Sequence, residues 1–332
     1  MGALSSHALP HLNEKDMLIL CELEQDSRRS LDDIAERTGL SKQTLHYRIE
    51  RLKGRGVIAS FPTVIDAAKL GYADYGIWLQ LDDISAEERK AFVDYLCAHG
   101  NVREAAACTG KYDIEARVLA GNLVQLDSLL GGMMKRFPGI VKNHHACATF
   151  REYRYPRMRL RESAAKRSPL LLGSEPKRIE IDEAGLGILA ALAKNSRASV
   201  MELAEKAGVS PNTVRSKMER LETEGVIRKY TVLVQPDRVG SQSHKVLVSL
   251  QNATEKDEKG MEEHCRSDKR ATFLRRVLGR WDAEIGLEVP DAGSLQAFLA
   301  GFRSRFSAVI RDFELVSVLH VHKMDYLPME VI

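Results

Sequence analysis

The sequence predicts an α+β protein made of two tandem copies of one module, each a winged helix-turn-helix followed by a ferredoxin-like βαββαβ domain. Three observations predict this fold class. The chain repeats itself at a constant spacing, each copy begins with three short amphipathic helices, and each copy ends in strand-like runs that alternate with two further helices. A hydrophobic fraction of 44% is typical of packed globular domains and argues against disorder.

The repeat is defined by one offset. Gly279 follows Gly110 by 279 − 110 = 169 residues, and no gap is needed over most of each copy. A constant offset over so long a stretch indicates a tandem duplication. The same offset aligns further identical pairs: Gly39 with Gly208, Ser27-Arg28 with Ser196-Arg197, and Glu50-Arg51-Leu52 with Glu219-Arg220-Leu221.

The first part of each module has the signals of three helices and a wing. In the first module, Asn13 and Ser30 can each cap a helix, and Gly39 can end the second helix in a left-handed conformation. Ser41 can cap a third helix, and an extended segment follows it as the wing. The second module repeats this order from 181 to about 234. The apolar stripe of the third helix is Leu45, Ile49 and Leu52.

The second part of each module has the order βαββαβ. In the first module the predicted strands are 75–81, 102–109, 113–120 and 141–153, and the helices are 85–99 and 123–137. In the second module the same order is predicted at 245–250, 256–265, 272–278, 282–289, 294–306 and 309–320. The domain boundaries that follow are 12–65 and 180–235 for the winged helices, 72–155 and 241–328 for the ferredoxin-like domains, and 156–179 for a basic linker.

The linker is broken by Ser168-Pro169 and Glu175-Pro176 and is rich in arginine and lysine. It is either a solvated connection or a run that follows a phosphate backbone. The net charge is only +3, so bulk charge does not decide whether the chain binds nucleic acid. Five cysteines without a CxxC pair predict reduced thiols in a cytoplasmic protein. We expect no membrane segment, because no apolar run approaches ~18 residues.

The third helix of each module is the candidate DNA reader, because it pairs one buried stripe with an exposed face of amide, aromatic and basic groups. The basic residues are expected to contact phosphates or guanine, and Gln43 and Asn212 to read adenine. Thr44 and Thr213 can meet a phosphate or a thymine methyl. The predicted DNA-binding residues of the helices are Ser41, Lys42, Gln43, Thr44, His46, Tyr47, Arg48, Arg51, Ser210, Asn212, Thr213, Arg215, Ser216, Lys217 and Arg220.

The two wings differ in charge. Arg228 and Lys229 make the second wing basic, whereas Ala59 and Ser60 leave the first neutral. We therefore expect the second module to contribute more electrostatic affinity for DNA. Neutralising both cations should make the salt dependence of binding shallower.

The segments LNEKDMLIL and SLDDIAERTGLSKQTLHYRIERLKGRGVI, followed by KLGY, resemble the Lrp/AsnC family of transcription regulators. TGKYD at 109–113 and FPGIV at 137–141 resemble the ligand-sensing domain of that family. The resemblance covers nearly the whole chain, as two copies where an ordinary member has one. It implies winged helices that bind palindromic DNA as dimers, assembly through the ferredoxin-like sheets, and an amino acid as effector in some members.

Two equivalent turns are the candidate effector site, Gly110-Lys111-Tyr112-Asp113 and Gly279-Arg280-Trp281-Asp282. One interpretation is a β-hairpin whose glycine has positive φ and whose aspartate stabilises the turn. The other is a pocket wall in which the aromatic ring packs on the effector and the cation meets a carboxylate. Ser307-Ala308 replaces the Pro138-Gly139 of the first module, which predicts weaker binding by the second copy.

The histidines favour a surface or interface role over a metal site. His144 and His145 lie near Cys147, and His320 and His322 share one face of the last strand. No catalytic motif has a recognisable context, so we expect no metal, no cofactor other than an amino-acid effector, and no enzymatic activity. Two alternatives remain. The first is an enzyme, because siroheme decarboxylases are similar to this chain in architecture, and His144 and His145 would then be the suspected residues. The second is a metabolite sensor with vestigial winged helices.

Oligomerisation depends on the ferredoxin-like sheets. Trp78 and Leu79 alternate on the first strand, so one faces the helices and the other faces away from them. An outward apolar face favours pairing with a second sheet, within one chain or between chains. We expect at least a homodimer with four winged helices.

Overall fold

The computed structural model describes residues 12–157, 168–173 and 178–328. Most of the predicted basic linker, including Arg159, Arg161 and Lys166, lies outside the described residues. The first module contains α1 (Glu14–Gln25), α2 (Leu31–Thr38), α3 (Lys42–Gly54), β1 (Ile58–Ser60), β2 (Thr63–Ile65), β3 (Ala73–Leu81), α4 (Ala86–Ala98), β4 (Val102–Thr109), β5 (Ile114–Ala120), α5 (Leu123–Arg136) and β6 (Val141–Arg154). A short strand, β7 (Leu170–Leu172), pairs with the end of β6.

The second module repeats this order. It contains α6 (Glu183–Lys194), α7 (Val200–Ala207), α8 (Pro211–Thr223), β8 (Ile227–Tyr230), β9 (Leu233–Val234), β10 (Gln242–Leu250), α9 (Glu255–Ser267), β11 (Ala271–Leu278), β12 (Ala283–Val289), α10 (Ala292–Phe306) and β13 (Ile310–Met324). The predicted helix caps are confirmed: the side chains of Asn13, Ser30 and Ser41 each accept a backbone hydrogen bond, and Gly39 has a φ of 65°.

The two wings exchange their strands. β1 pairs with β9 of the other module, and β2 pairs with β8. Ile58 lies opposite Val234, and Ile65 lies opposite Ile227. These two pairs are equivalent under the repeat, so the winged helices are related by a pseudo-twofold axis. The sequence predicted the extended segments but not that each finds its partner in the other copy.

Equivalent residues meet on this axis. The hydroxyls of Ser27 and Ser196 are 2.6 Å apart and buried, with a sequence separation of 169. Arg28 donates to the carbonyls of Ser196 and Ala198 at 2.5 and 2.8 Å, and Arg197 donates in return to the carbonyl of Ser27. Because both copies supply equivalent contacts, the two winged helices pack directly on each other about this axis.

The ferredoxin-like sheets of the two modules form one closed barrel. The strand order is β11-β12-β10-β13-β4-β5-β3-β6, and β6 pairs again with β11. Every neighbouring pair is antiparallel. Closure leaves these eight strands without an open edge. The pairing of the two sheets, which the sequence left open, is therefore within one chain.

The barrel has an apolar outer surface and a mixed interior. Leu79 packs outward with Phe92 of α4, whereas Trp78 points inward to Tyr112 and Trp281, so their predicted alternation is confirmed. Beyond this aromatic end, the interior is charged. Asp74, partly buried, belongs to this charged interior. The buried ionic groups there are Arg103, Glu104, Glu115, Arg117, Glu152, Lys245, Arg275 and Glu284.

These interior charges neutralise one another. Arg117 meets Asp74 at 2.8 Å and Glu284 at 3.2 Å, and Arg275 meets Glu284 at 2.8 Å. Burial alone would raise the pKa of Glu104, but the cations around it, Lys245 foremost, lower it to about 2. Burial of these charges is tolerated because each one has an oppositely charged partner.

Candidate nucleic-acid interface

The third helix of each winged unit has the predicted division into two faces. Leu45, Ile49 and Leu52 are buried in α3, and Val214, Met218 and Leu221 are buried in α8. Five of the predicted groups of α3 are exposed, with Tyr47 at 65%: Lys42, Gln43, Thr44, His46 and Tyr47. Ser41 and Ser210 cap the helices by accepting from the backbone N–H of Thr44 and Thr213 at 3.2 and 3.1 Å. The chain therefore presents two amphipathic helices with polar outer faces.

Two arginines of α3 are turned inward. Arg48 and Arg51 each approach a carboxylate oxygen of Asp16 at 2.8 Å, and Asp16 is fully buried at the start of α1. Releasing either arginine to DNA would weaken the compensation of a buried negative charge. In this arrangement both arginines hold α3 on α1, and their contact with phosphate or guanine stays a prediction.

The equivalent cations of α8 are less constrained. Lys217 stands where α3 has Arg48, and its Nζ lies 2.5 Å from a carboxylate oxygen of Asp182, which is 64% exposed. Arg220 pairs at 2.9 Å with Glu224, the C-cap of α8. Gly185 occupies the position of Asp16, so α6 has no carboxylate at the place where Asp16 meets α3 in the first module. Exposed ion pairs of this kind contribute little and exchange readily for a phosphate.

Hydrogen bonding keeps Asp182 charged. The Lys217 side chain and the Gly185 backbone N–H both donate to this carboxylate, and they lower its pKa below the ordinary value. Asp182 is also the N-cap of α6, so the ion pair links α8 to α6 at the protein surface.

The basic wing is split between two environments. Arg228 is exposed, whereas Lys229 is half-buried and lines an internal cavity between the wing strands and the barrel. Adjacent residues of a strand point to opposite faces, which explains the difference. The predicted DNA contact of either cation stays a prediction, with Arg228 the more exposed of the two.

The two candidate effector turns are hairpins packed against the opposite sheet. Gly110 and Gly279 have φ values of 119° and 151°. A Cβ atom at Gly279 would lie 2.8 Å from both the Ala146 carbonyl oxygen and the Cys147 Sγ, so only glycine fits. Asp113 and Asp282 accept from the backbone N–H of Leu81 and Leu250 at 2.9 and 2.7 Å. The hairpin interpretation of these turns is confirmed.

The rings of these turns are buried. Tyr112 and Trp281 lie 5.7 Å apart and pack on Trp78 and His145, with 1% and 2% of their surfaces exposed. The expectation that either ring forms a wall of an effector pocket is therefore corrected, because the rings fill the space between the sheets. Effector contact by the exposed atoms of the turns stays a prediction.

The two turn cations share one carboxylate. Lys111 and Arg280 approach the same Glu314 oxygen at 2.8 and 3.0 Å. Burial alone would raise the pKa of Glu314, but the hydrogen bonds from Lys111 and Arg280 hold it below its ordinary value. An effector carboxylate would have to compete with Glu314 for these cations.

The histidines are separated by the fold. His144 is exposed, whereas His145 packs against Tyr112 and Trp281, and burial lowers the pKa of its imidazole. His320 and His322 have ring centres 4.7 Å apart. In the part of the chain that the structure describes, no group of three or more His, Cys, Asp or Glu residues could hold a metal ion. None of the helices described is long and apolar enough to cross a membrane.

Comparison with known proteins agrees with the winged helices. A family model described as winged helix-turn-helix DNA-binding matches residues 12–59 and 181–228. The regulatory protein AsnC of Haemophilus influenzae is 30% identical over 120 residues, which are 36% of this chain and 79% of that protein. The transcriptional regulator FL11 of Pyrococcus horikoshii is 29% identical over 133 residues, which are 40% of this chain and 86% of that protein.

A third relative is the proline dehydrogenase transcriptional activator of Rhizobium radiobacter. It is 27% identical over 139 residues, which are 41% of this chain and 88% of the activator. Among solved structures, that of the siroheme decarboxylase NirDL with an iron-uroporphyrin III analogue covers 94% of this chain and 93% of its own. The sequence identity is 14% and the TM-score 0.59, so this likeness concerns the fold of the whole tandem chain.

Proposed function

The chain belongs to the Lrp/AsnC family of DNA-binding transcription regulators, and from this premise we propose that one chain binds double-stranded DNA with α3 and α8 as an unequal pair. The exchange of wing strands about the pseudo-twofold axis carries the proposal. It fixes two DNA-reading helices in one unit, as a dimer of single-module chains would. Since the helices differ in sequence, the two half-sites differ as well.

The outer faces of the helices supply the base and phosphate contacts. In α3 these are Lys42, Gln43, Thr44, His46 and Tyr47, and in α8 they are Asn212, Thr213, Arg215, Ser216, Lys217 and Arg220. Gln43 and Asn212 suit adenine, and the threonines suit a phosphate or a thymine methyl. Arg228 adds a phosphate contact beside α8.

Selection of bound DNA from random sequence, followed by footprinting, tests the proposal. We expect two protected half-sites about one helical turn, ~10 bp, apart, with different base preferences. Gln43→Asn, which gives α3 the residue found at the equivalent Asn212 of α8, should move the preference of one half-site towards that of the other. A perfect palindrome would contradict the unequal pair. Absence of protection at low salt would favour the metabolite sensor with vestigial winged helices.

We further propose that an amino acid or a related metabolite modulates this binding, as in relatives of the same family. The supporting observation is the pair of exposed cations at Lys111 and Arg280. Repeating the DNA selection with and without a panel of amino acids tests the coupling. Unchanged affinity with every amino acid would contradict it. Assembly into a dimer of chains with four winged helices is tested by light scattering.

The alternative that this chain is a siroheme decarboxylase can be tested directly. It arises because NirDL has the same fold along almost its whole length. We propose that this chain acts as a regulator without that activity, since α8 keeps Arg215 and Arg220 exposed and Lys217 partly exposed. Incubation with siroheme should leave the absorbance spectrum unchanged. Conversion of siroheme, and its loss in His144→Ala or His145→Ala, would establish the enzyme instead.

A further inference from the structure

A groove of about 510 Å³ lies between the two winged helices, beside the third helix of the first module. His46, Glu50 and Lys53 line it from α3. Their i, i+4 and i+7 spacing places them along one flank of the helix. His46 is also one of the exposed groups that are proposed to meet DNA. The groove therefore adjoins the face of α3 that is proposed to read a half-site.

The other side of this groove belongs to the second module. Lys194, Asn195 and Arg197 line it there, at the end of α6 and in the turn that follows. The backbone N–H of Ser196 donates to the carbonyl of Phe61 at 2.6 Å, and the guanidinium of Arg197 lies 5.6 Å from the centre of the Phe61 ring. These contacts hold cations of the second module beside the α3 helix of the first.

The groove carries an excess of positive charge. Lys53, Lys194 and Arg197 stand against Glu50, so the sum is 3 − 1 = +2 with His46 neutral. Lys53 pairs with Glu50 at 3.0 Å, and both side chains are exposed, so this ion pair exchanges readily for another anion. Lys194 is exposed and makes no salt bridge with any residue that the structure describes. An exposed surface of this kind attracts phosphate groups.

The equivalent positions on the other side of the pseudo-twofold axis have no such excess. Three cations and three acids stand there, and the sum is 3 − 3 = 0. They are Arg28, Arg215 and Lys229 against Asp26, Glu219 and Glu222. Tyr230 replaces Phe61, and its hydroxyl donates to Glu222, the equivalent of Lys53, at 2.6 Å. The two modules therefore differ in charge beside their third helices.

We propose that Lys53 and Lys194 together bind a phosphate group of the DNA backbone next to the half-site read by α3. The second module would thus contribute a contact to the half-site of the first. The inference rests on the proposed function, in which α3 and α8 bind double-stranded DNA. Because a phosphate carries no sequence information, the contact adds affinity and leaves the base preference unchanged.

Binding isotherms at several salt concentrations, on DNA obtained by selection with the full chain, test the contact. Lys194→Met should reduce the salt slope by about 0.9, the contribution of one phosphate. Lys259→Met is the matched control, because it removes an exposed cation from α9, outside the winged helices. It changes the net charge by the same amount and should leave the slope unchanged.

A second variant makes the groove resemble its equivalent. Lys53→Glu introduces the residue found at Glu222 and should reduce the slope at least as much as Lys194→Met does. In footprints of either variant, the protection should weaken at the half-site read by α3 and not at the one read by α8. The change of base preference in Gln43→Asn identifies which half-site α3 reads.

The outcomes separate this inference from the proposed function. An unchanged slope in Lys194→Met, an equal reduction in Lys259→Met, or weaker protection at the half-site read by α8 would each overturn the inference while DNA binding by the parent chain stands. Absence of protection by the parent chain at low salt would overturn the proposed function and this contact with it.

Discussion

The two candidate DNA-reading helices have basic residues at equivalent positions but engage them differently. Arg51 of α3 and Arg220 of α8 are equivalent under the repeat, yet Arg51 holds the buried Asp16 and Arg220 lies at the surface with Glu224. The cause is one residue on the first helix of each module, Asp16 in the first module and Gly185 in the second. A basic residue in a helix-turn-helix motif therefore has a role that depends on what lies beneath it.

The largest expected effect concerns Asp16. Asp16→Asn leaves Arg48 and Arg51 without their buried counter-charge, and we expect a loss of about 2–3 kcal/mol in the free energy of unfolding. Asp182→Asn is the matched control, since Asp182 is exposed and asparagine caps helices as well as aspartate does. It should cost under ~1 kcal/mol. Thermal or urea unfolding measures both, and equal losses would remove the distinction between the two helices.

The next largest effect, on DNA binding, distinguishes Lys217 of α8 from Arg48, its equivalent in α3. Lys217→Met should weaken DNA binding about tenfold and reduce the salt slope by about 0.9, the contribution of one phosphate contact. Arg48→Met should leave the slope unchanged, because Arg48 is engaged with Asp16. Binding isotherms at several salt concentrations measure the slope. A reduced slope in Arg48→Met would show that Arg48 exchanges Asp16 for a phosphate.

The wings allow a test in both directions. Arg228→Ala should make the salt dependence shallower, and Ala59→Arg, at the equivalent exposed position of the first wing, should make it steeper. Each change should be below one unit of slope. Lys229→Ala should have no effect on the slope, since Lys229 lines the internal cavity. An effect of Lys229→Ala as large as that of Arg228→Ala would count against the assigned strand faces.

The smallest effect is a pH dependence of the second winged helix. Because the folded-state pKa of Asp182 is depressed, the stability it contributes is present above its ordinary pKa of 3.8 and is lost as the pH falls through the lower folded value. Thermal unfolding from about pH 5 to about pH 3 should therefore depend less on pH in Asp182→Asn. Identical pH profiles of the variant and the parent chain would refute this contribution.

Local features of the fold were predictable from the sequence. Caps such as Ser41, the glycine Gly39 and the buried stripe of α3 depend on neighbouring residues, and the offset of the repeat already implied two equivalent winged helices. The exchange of wing strands was not predictable, because β1 could pair equally well with its own neighbour or with β9. Only the contacts on the axis, such as Ser27 with Ser196, decide between them.

The site was predictable in outline but not in its electrostatics. The exposed face of α3 follows from helical periodicity, whereas the inward turn of Arg48 and Arg51 depends on Asp16, which is far away in sequence. One signal was present: the offset pairs Asp16 with Gly185, so only the first module has an acidic group there. The cavity between the wing strands and the barrel had a similar signal in Gly286, which lines it and aligns with Arg117 of the first copy.

The exchanged strands impose an order on folding while the chain is being synthesised. When the ribosome has completed the first three helices, β1 still lacks its partner, because Val234 has not yet been made. At ~5–20 residues per second, β1 waits on the order of ten seconds or more for β9 to be translated. The barrel closes later still, since β13 joins β4 only when translation is almost complete. The nascent first module therefore exposes unpaired strand edges that chaperones can bind until the second module emerges.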